Sequence, residues 1–182
     1  MKFNPKKSLG QNFLTDKNIL KKIVDVGNIS EKDKILEIGP GTGNLTTYII
    51  ESEPKHIIVV EKDIELIKIL ERKFKKEIQI VNEDVLKLTQ DFYYDKFIVY
   101  GNLPYNISTK ILSNWCLNKE IKFKKLILMF QKEVADRIIS KFNTKEYGRL
   151  SILANWRLNI KKIFDIKATS FHPKPKIEST VL

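Results

Sequence analysis

The sequence predicts an α/β fold in which a mostly parallel sheet carries helices on both faces. Short apolar runs, typical of buried strands, alternate with amphipathic helical patterns along most of the chain. The first of these runs ends in a glycine-rich turn at residues 39–43, and polar residues follow three later runs. Strands joined through helices lie parallel in one sheet, so these strand ends should meet at one edge.

Helical and strand patterns follow one another regularly in the first half of the chain. Thr15 or Asp16 can cap a first helix that ends near Asn28, because its apolar residues share one face. Two strand–helix units come next. Their predicted boundaries are a strand at 34–38 with a helix at 44–50, and a strand at 57–60 with a helix across 64–74.

The second half continues this alternation and then closes the sheet. A strand at 78–81 leads to Asp84, and an apolar run at 97–99 leads to Asn102. The pattern then predicts a helix across 107–115, a strand at 126–130 and a helix across 134–142. Residues 152–166 and 177–182 are expected to form a closing pair of strands around a loop that contains Phe171.

The strand ends carry residue types that suit an adenosine-containing cofactor. Glycines such as Gly39 and Gly41 in the first strand-to-helix turn let the backbone approach a nucleotide closely. Their spacing is G-x-G-x-G, not the G-x-G-x-x-G of dinucleotide enzymes. Glu61, about 20 positions further on, can accept hydrogen bonds from ribose hydroxyls. Asp84 can accept a hydrogen bond from an adenine amine.

A second motif, Asn102-Leu103-Pro104-Tyr105, follows the fourth predicted strand. The Asn102 side-chain oxygen and the Leu103 carbonyl are two acceptors that can hold one amino group. Pro104 fixes the turn, and Tyr105 offers a flat face on which a base can stack. This combination favours binding of the exocyclic amine of a flipped-out adenine.

Six segments of the sequence form a set of motifs: residues 10–16 (GQNFLTD), 37–43 (EIGPGTG), 101–106 (GNLPYN), 131–137 (QKEVADR), 147–151 (YGRLS) and 171–176 (FHPKPK). Through these segments the chain resembles the KsgA-type ribosomal RNA adenine dimethyltransferase family. The resemblance covers nearly all 182 residues. A set of motifs in the family's order is more specific than a glycine turn alone.

The resemblance implies a Rossmann-like class I S-adenosylmethionine-dependent methyltransferase fold, with a seven-stranded sheet whose last pair is antiparallel. It implies one methyltransferase domain over residues 1–182, in which residues 1–14 form a basic arm and a motif that covers the cofactor. Members of the family usually carry a further small helical domain at the carboxyl end, and we expect that domain to be absent from this chain.

The resemblance also implies a reaction and its residues. Methyl groups pass from S-adenosylmethionine to two adjacent adenines near the 3′ end of 16S rRNA in the 30S subunit, giving dimethyladenosine. The implied cofactor residues are Asn12, Leu14, Gly39, Gly41, Glu61, Asp84, Val85 and Asn102. Asn12 and Leu14 belong to the covering motif, and the Val85 amide lies near the adenine ring. The implied catalytic residues are Asn102, Leu103, Pro104, Tyr105 and Phe171, with the two aromatic rings on opposite faces of the target base.

The charge of the chain favours a polyanionic partner. The net charge is +11, from 33 basic and 22 acidic residues. A lysine-rich composition spread over every surface would explain the charge equally well, but the basic residues cluster near both ends of the chain. The clusters are Lys2, Lys6, Lys7, Lys17, Lys21 and Lys22 near the start, and Arg157, Lys161, Lys162, Lys167, Lys174 and Lys176 near the end.

Other features favour a cytoplasmic enzyme without membrane contact. The start of the chain lacks the apolar h-region of a signal peptide, and no apolar run approaches membrane-spanning length. Cys116 is the only cysteine, so no intramolecular disulfide can form. His56 and His172 lack partners at ligand spacing, and we predict no metal site. The family suggests a monomer.

Two alternative functions stay open. One is the related 23S rRNA adenine dimethyltransferase that confers macrolide resistance, although segments 37–41, 131–137 and 147–151 favour the 16S type. The other is a catalytically silent RNA-binding assembly factor, which the intact motifs disfavour. Single residues have structural alternatives too. Glu61 and Asp84 could be helix caps, Phe171 could belong to the core, and Trp115 and Trp156 fit packing better than base stacking.

Overall fold

A seven-stranded sheet forms the centre of the computed structural model, which describes residues 5–6, 10–93 and 95–182. In chain order the strands are β1 (Phe13–Leu14), β2 (Lys34–Ile38), β3 (His56–Glu61), β4 (Gln79–Asn82), β5 (Ile98–Asn102), β6 (Lys125–Gln131), β7 (Phe164–Ile166), β8 (Phe171–His172) and β9 (Ser179–Val181). The helices are α1 (Lys17–Gly27), α2 (Asn44–Ile50), α3 (Ile64–Phe74), α4 (Ser108–Leu117), α5 (Lys132–Ile139) and α6 (Arg149–Arg157).

The topology is mostly parallel, as the sequence predicts. The order across the main sheet is β4-β3-β2-β5-β6-β9-β7. The first five of these strands pair in parallel, whereas β9 runs antiparallel to both β6 and β7. Strands β1 and β8 form a separate antiparallel ladder. The predicted antiparallel closing pair is therefore confirmed.

Helices cover both faces of the sheet because alternate residues of each strand point to opposite sides. On β3, Ile57 and Val59 pack in an apolar cluster with α1, α2 and the end of α3. Their neighbours Ile58 and Val60 pack in a second cluster with α4, α5 and α6. In the described part of the chain, no helix has the length and apolar character needed to cross a membrane.

The first helix has the predicted cap. Asp16 Oδ1 accepts hydrogen bonds from the backbone N–H groups of Asn18 and Ile19, at 3.0 and 3.2 Å. The helix ends at Gly27, and the next residue, Asn28, adopts the left-handed conformation with φ of 50°. A side-chain cap therefore begins α1, and a left-handed residue whose N–H donates to the Asp25 carbonyl ends it.

The prediction of a strand over residues 152–166 was wrong for most of its length. Residues 149–157 form helix α6, and only residues 164–166 belong to a strand. Tertiary contacts decide this choice, since Ser151 Oγ donates to the Arg137 carbonyl at 2.6 Å and Asn155 Nδ2 donates to the Ile138 carbonyl at 3.1 Å. These bonds hold α6 against the end of α5.

Three further expectations need correction or lie outside the described residues. Helix α5 ends at Ile139, and Phe142 beyond it is 76% exposed, so it does not continue the apolar face. Trp115 packs in the core as expected, but Trp156 is 61% exposed.

The predicted basic arm includes Lys2 and Lys7. Residues 1–4 and 7–9 lie outside the described part of the chain, as does Tyr94.

We predict that Gly43→Ala destabilises the fold by about 2–4 kcal/mol. Gly43 has φ of +74°, and an added Cβ would lie 2.3 Å from the Phe74 ring and 3.0 Å from Leu70. Urea unfolding measures the loss. Gly148→Ala is the matched control, because Gly148 has an extended backbone and nothing within 4 Å of an added Cβ. Equal losses in the two variants would contradict this account of the turn.

Candidate functional site

A cavity of about 230 Å³ lies at the carboxyl ends of β2, β3 and β5. It is here that a parallel sheet leaves room for a ligand. Its walls combine the N-terminal motif, the glycine turn, both predicted acids and the Asn-Leu-Pro-Tyr motif. Of the predicted site residues, those in the wall are Asn12, Gly39, Gly41, Glu61, Asp84, Val85, Asn102, Leu103, Pro104 and Tyr105.

The glycine turn needs its glycines for two different reasons. Gly39 and Gly41 both have positive φ, at 66° and 59°. An added Cβ on Gly41 would lie 2.6 Å from the Phe13 ring, so this residue must let an aromatic side chain approach the backbone. An added Cβ on Gly39 would meet nothing closer than the Asn102 carbonyl, at 4.0 Å. Gly39 therefore borders open space in the cavity, which a ligand can fill.

Glu61 is a buried carboxylate held by backbone groups. Its Oε1 accepts hydrogen bonds from the Lys62 and Asp63 N–H groups at 2.8 and 2.9 Å. Its Oε2 accepts a longer bond of 3.4 Å from Gly41. Burial raises the pKa of Glu61, while these backbone donors act in the opposite direction. The weakly held Oε2 leaves acceptor capacity for ligand hydroxyls.

Asp84 has both a capping role and a place in the cavity wall. Its Oδ1 accepts from the Leu86 N–H at 3.0 Å, which begins the 3₁₀ turn Val85–Lys87. Its Oδ2 accepts from Lys62 Nζ at 2.9 Å. The bond from Lys62 lowers the pKa of Asp84, so its carboxylate stays ionised near neutral pH. Asp84 can therefore cap this turn and also offer its carboxylate to a ligand in the cavity.

Asn102 is oriented by the N-terminal motif. Its Nδ2 donates to the Asn12 carbonyl at 2.7 Å. With the side-chain nitrogen held in this way, Oδ1 has no hydrogen-bond donor among the described residues and is available to a ligand. Leu103 has a buried side chain, and the Pro104 carbonyl accepts from Ile107 and Ser108, which starts α4.

Tyr105 is anchored through its hydroxyl. The Tyr105 oxygen and Ser179 Oγ are 2.6 Å apart and share a hydrogen bond. Burial raises the pKa of Tyr105, so the phenol remains neutral. Because Ser179 lies at the start of β9, the sheet itself fixes the position of the ring in the cavity wall.

Leu14 and Phe171 do not reach this cavity. They face each other in the β1–β8 ladder, and both are 4% exposed within the core. The Leu14 carbonyl accepts from Asn44 Nδ2 at 2.8 Å, so Leu14 supports the start of α2 beside the glycine turn. The expected position of Phe171 opposite Tyr105 is not formed in this structure, because the ladder turns its side chain into the core.

Sequence reasoning gave no role to two polar residues around the glycine turn, Glu37 and Lys73. Glu37 is 2% exposed, and its Oε2 accepts from Thr46 Oγ1 at 2.7 Å. Lys73 Nζ donates to the Gly43 carbonyl at 3.0 Å and to the Thr42 carbonyl at 3.3 Å. Glu37 could have been found, since an acid inside an apolar strand is costly to bury without a purpose. The contact of Lys73 depends on the tertiary structure.

The histidines do not add chemistry to this site. His56 Nε2 and Gln79 Oε1 are 2.9 Å apart on the exposed surface, and His172 is exposed beside β1. Within residues 5–6, 10–93 and 95–182, no group of three His, Cys, Asp or Glu side chains could hold a metal ion.

Comparisons with a family model and with curated proteins point to the same family. The model of the ribosomal RNA adenine dimethylase family matches residues 2–182. A ribosomal RNA small subunit methyltransferase A from Pelagibacter ubique is 59% identical over 180 residues, covering 97% of this chain and 68% of that protein. The chain thus spans about two thirds of the length of this curated relative.

Two solved structures are similar over most of the chain. A dimethyladenosine transferase from Plasmodium falciparum is 29% identical, with a TM-score of 0.83, and the match covers 93% of this chain and 61% of that one. A 23S rRNA methyltransferase is 28% identical, with a TM-score of 0.77, and the match covers 93% of this chain and 67% of that one.

We predict that Glu37 makes stability fall as the pH rises from about 4.5 to about 7. Burial raises the pKa of Glu37 from 4.5 to about 7. In this window the unfolded chain loses a proton that the folded chain keeps, so the free energy of unfolding decreases, by roughly 3 kcal/mol at most. Below the window both states are protonated, and above it both are ionised.

Glu37→Gln should flatten this dependence, because a Gln side chain does not titrate but still accepts from Thr46. Urea unfolding across the window measures the slope. Glu77→Gln, at an exposed position, is the control and should keep the wild-type slope. A Glu37→Gln protein with an unchanged slope would rule out Glu37 as its source.

Proposed function

The chain belongs to the ribosomal RNA adenine dimethylase family, and we propose that it dimethylates two adjacent adenines near the 3′ end of 16S rRNA in the 30S subunit, with S-adenosylmethionine as the methyl donor. Its fold is the class I S-adenosylmethionine-dependent methyltransferase fold that the sequence predicts. One observation carries the proposal. The residues suited to a nucleoside cofactor and those suited to a flipped adenine line the same cavity.

The chemistry of the wall residues fits the cofactor. Glu61 offers Oε2 to ribose hydroxyls, and Asp84 is an ionised acceptor for an adenine amine. The Val85 backbone lies beside Asp84 in the wall, and the open space at Gly39 lets a ligand approach the turn. Asn12 helps close the cavity, and Leu14 supports the turn from the core. When bound, S-adenosylmethionine supplies a methyl group on a positively charged sulfur.

The Asn-Leu-Pro-Tyr motif prepares the target amine. An adenine amine is a poor nucleophile because its lone pair is delocalised into the ring. Hydrogen bonds to Asn102 Oδ1 and to the Leu103 carbonyl favour a pyramidal nitrogen and expose the lone pair. These acceptors also stabilise the positive charge that develops on the nitrogen. The product ammonium loses its proton to water, so no strong general base is needed.

Tyr105 supplies the stacking face for the target base. Its bond to Ser179 holds the ring in place before the base arrives, which reduces the cost of ordering it on binding. Pro104 restricts the same turn. A stacking role for Phe171 requires its side chain to leave the core.

The choice between a 16S and a 23S rRNA substrate is argued from the similar proteins. The 59% identical protein is named for the small subunit, whereas the similar 23S rRNA methyltransferase is 28% identical. A 16S substrate is therefore favoured over the 23S alternative. A silent assembly factor is disfavoured, because the cofactor and adenine motifs are intact and meet in one cavity. We propose that the protein acts as a monomer in the cytoplasm, where ribosomal subunits are assembled.

The proposal predicts that labelled methyl groups from S-adenosylmethionine are transferred to unmethylated 30S subunits and are recovered as dimethyladenosine in 16S rRNA. Unmethylated 23S rRNA is assayed in parallel. Label in 23S rRNA alone would assign the chain to the resistance enzymes. Absence of label in both, together with binding to the subunit, would support the silent assembly factor instead.

Asn102→Ala should reduce the rate of methyl transfer by about 100-fold or more, because it removes one of the two acceptors for the amine. It also removes the bond to Asn12, so we expect a smaller loss of stability of about 0.5–1.5 kcal/mol. Single-turnover rates and urea unfolding separate the two effects. Asn18→Ala, on the exposed surface of α1, is the control. A near-wild-type rate in Asn102→Ala would remove Asn102 from the catalytic site.

A further inference from the structure

Asp63 has more hydrogen bonds than its place at the start of α3 requires. Its side chain is 2% exposed. Oδ1 accepts from the Glu65 N–H at 3.0 Å, which caps the helix. It also accepts from Lys6 Nζ at 2.9 Å, and Oδ2 accepts from Gln11 Nε2 at 3.0 Å. Two of these three donors come from the N-terminal segment, more than 50 residues away in sequence.

The segment that Asp63 holds lies across the cavity. Residues 10–14, here named the strap, contribute Gly10, Gln11, Asn12 and Phe13 to the cavity wall. At its other side the strap is held by Asn102, whose Nδ2 donates to the Asn12 carbonyl. Asp63 follows β3 and Asn102 ends β5, and these strands flank β2 in the sheet. The strap therefore crosses the glycine turn, with Phe13 against Gly41.

Lys6, which precedes the strap, also contacts Gln11 within it. The Lys6 N–H donates to Gln11 Oε1 at 2.7 Å, while Gln11 Nε2 donates to Asp63. Both the oxygen and the nitrogen of the Gln11 side-chain amide are thus held by hydrogen bonds. Burial by itself would raise the pKa of Asp63, but the bonds from Lys6 and Gln11 lower it. A charged, buried carboxylate holds these donors more strongly than a neutral group would.

Asp63 is linked to the ribose-binding carboxylate as well. Its backbone N–H donates to Glu61 Oε1 at 2.9 Å. A movement of Asp63 would therefore change both the orientation of Glu61 and the position of the strap. The N-cap of a surface helix needs neither connection, since Asp16 caps α1 with bonds to Asn18 and Ile19 alone.

We propose that Asp63 is a positioning residue that latches the strap over the cofactor cavity through Gln11 and Lys6. The latch closes one wall of the cavity before the ligand binds, so less ordering remains to be done on binding. The identity of the ligand as S-adenosylmethionine rests on the proposed function, whereas the latch itself rests on the contacts of Asp63.

Asp63→Asn tests the latch while keeping the helix cap, because Asn caps helices as well as Asp does. The substitution places an N–H donor against Gln11 Nε2 and removes the negative charge beside Lys6. Hydrogen exchange of residues 10–14, measured without cofactor, should become roughly 10-fold faster or more. The affinity for S-adenosylmethionine, measured by calorimetry, should fall by roughly 10-fold.

Asp16→Asn is a matched control. Both aspartates cap helices of 11 residues, and Asp16 lies closer to the strap in sequence. Its substitution should leave both the exchange of the strap and the affinity unchanged. Gln11→Ala is a second variant that removes one donor without changing either helix. It should accelerate the exchange in the same direction as Asp63→Asn and by a smaller factor.

The outcomes separate the latch from the proposed function. Wild-type exchange rates in both Asp63→Asn and Gln11→Ala would overturn the latch, whether or not the protein binds S-adenosylmethionine. Faster exchange with unchanged affinity would overturn the role of the latch in ligand binding. If wild-type protein binds no S-adenosylmethionine, the proposed function fails, and the exchange measurement still decides whether Asp63 holds the strap.

Discussion

The packing of two aromatic rings against the glycine turn is the constraint on which the rest of the site depends. Phe13 lies against Gly41 from the strap, and Phe74 lies against Gly43 from the end of α3. No other residue type fits at either glycine without displacing a ring, and both glycines have positive φ. The turn is therefore shaped by elements at the start and the middle of the chain, and the Gly41 N–H of this turn donates to Glu61 Oε2 in the cavity wall.

Around this turn, acidic residues are stabilised in different ways according to their surroundings. Glu37 lies in the core, and burial raises its pKa to about 7. Glu61 is held by backbone N–H groups, whereas Asp63 and Asp84 are paired with Lys6 and Lys62. Each acid thus has its own partner: the bond from Lys62 keeps Asp84 ionised, whereas burial raises the pKa of Glu61 against the opposite effect of its backbone donors. This arrangement supports recognition of hydroxyl and amine donors by fixed acceptors without rearrangement.

Few polar contacts among the described residues join the cofactor side of the cavity to the side formed by the Asn-Leu-Pro-Tyr motif. The bond between Asn102 Nδ2 and the Asn12 carbonyl links the adenine motif to the strap, and Asp63 links the strap to Glu61. Closure of the cofactor side and orientation of the catalytic amide are therefore coupled through one short segment. The position of Phe171 in the β1–β8 ladder places it directly behind this segment, opposite Leu14.

The sequence by itself determined the strand–helix alternation, the glycine turn and the polar residues at the strand ends, because apolar periodicity and turn chemistry are local properties. It therefore predicted the edge at which Gly39, Glu61, Asp84 and Asn102 meet. Only the tertiary structure decided that residues 149–157 form a helix, since bonds to the end of α5 outweigh the strand-like pattern. It also decided that Phe171 lies in the core and that Asp63 holds the strap. These outcomes depend on partners distant in sequence, which no local pattern specifies.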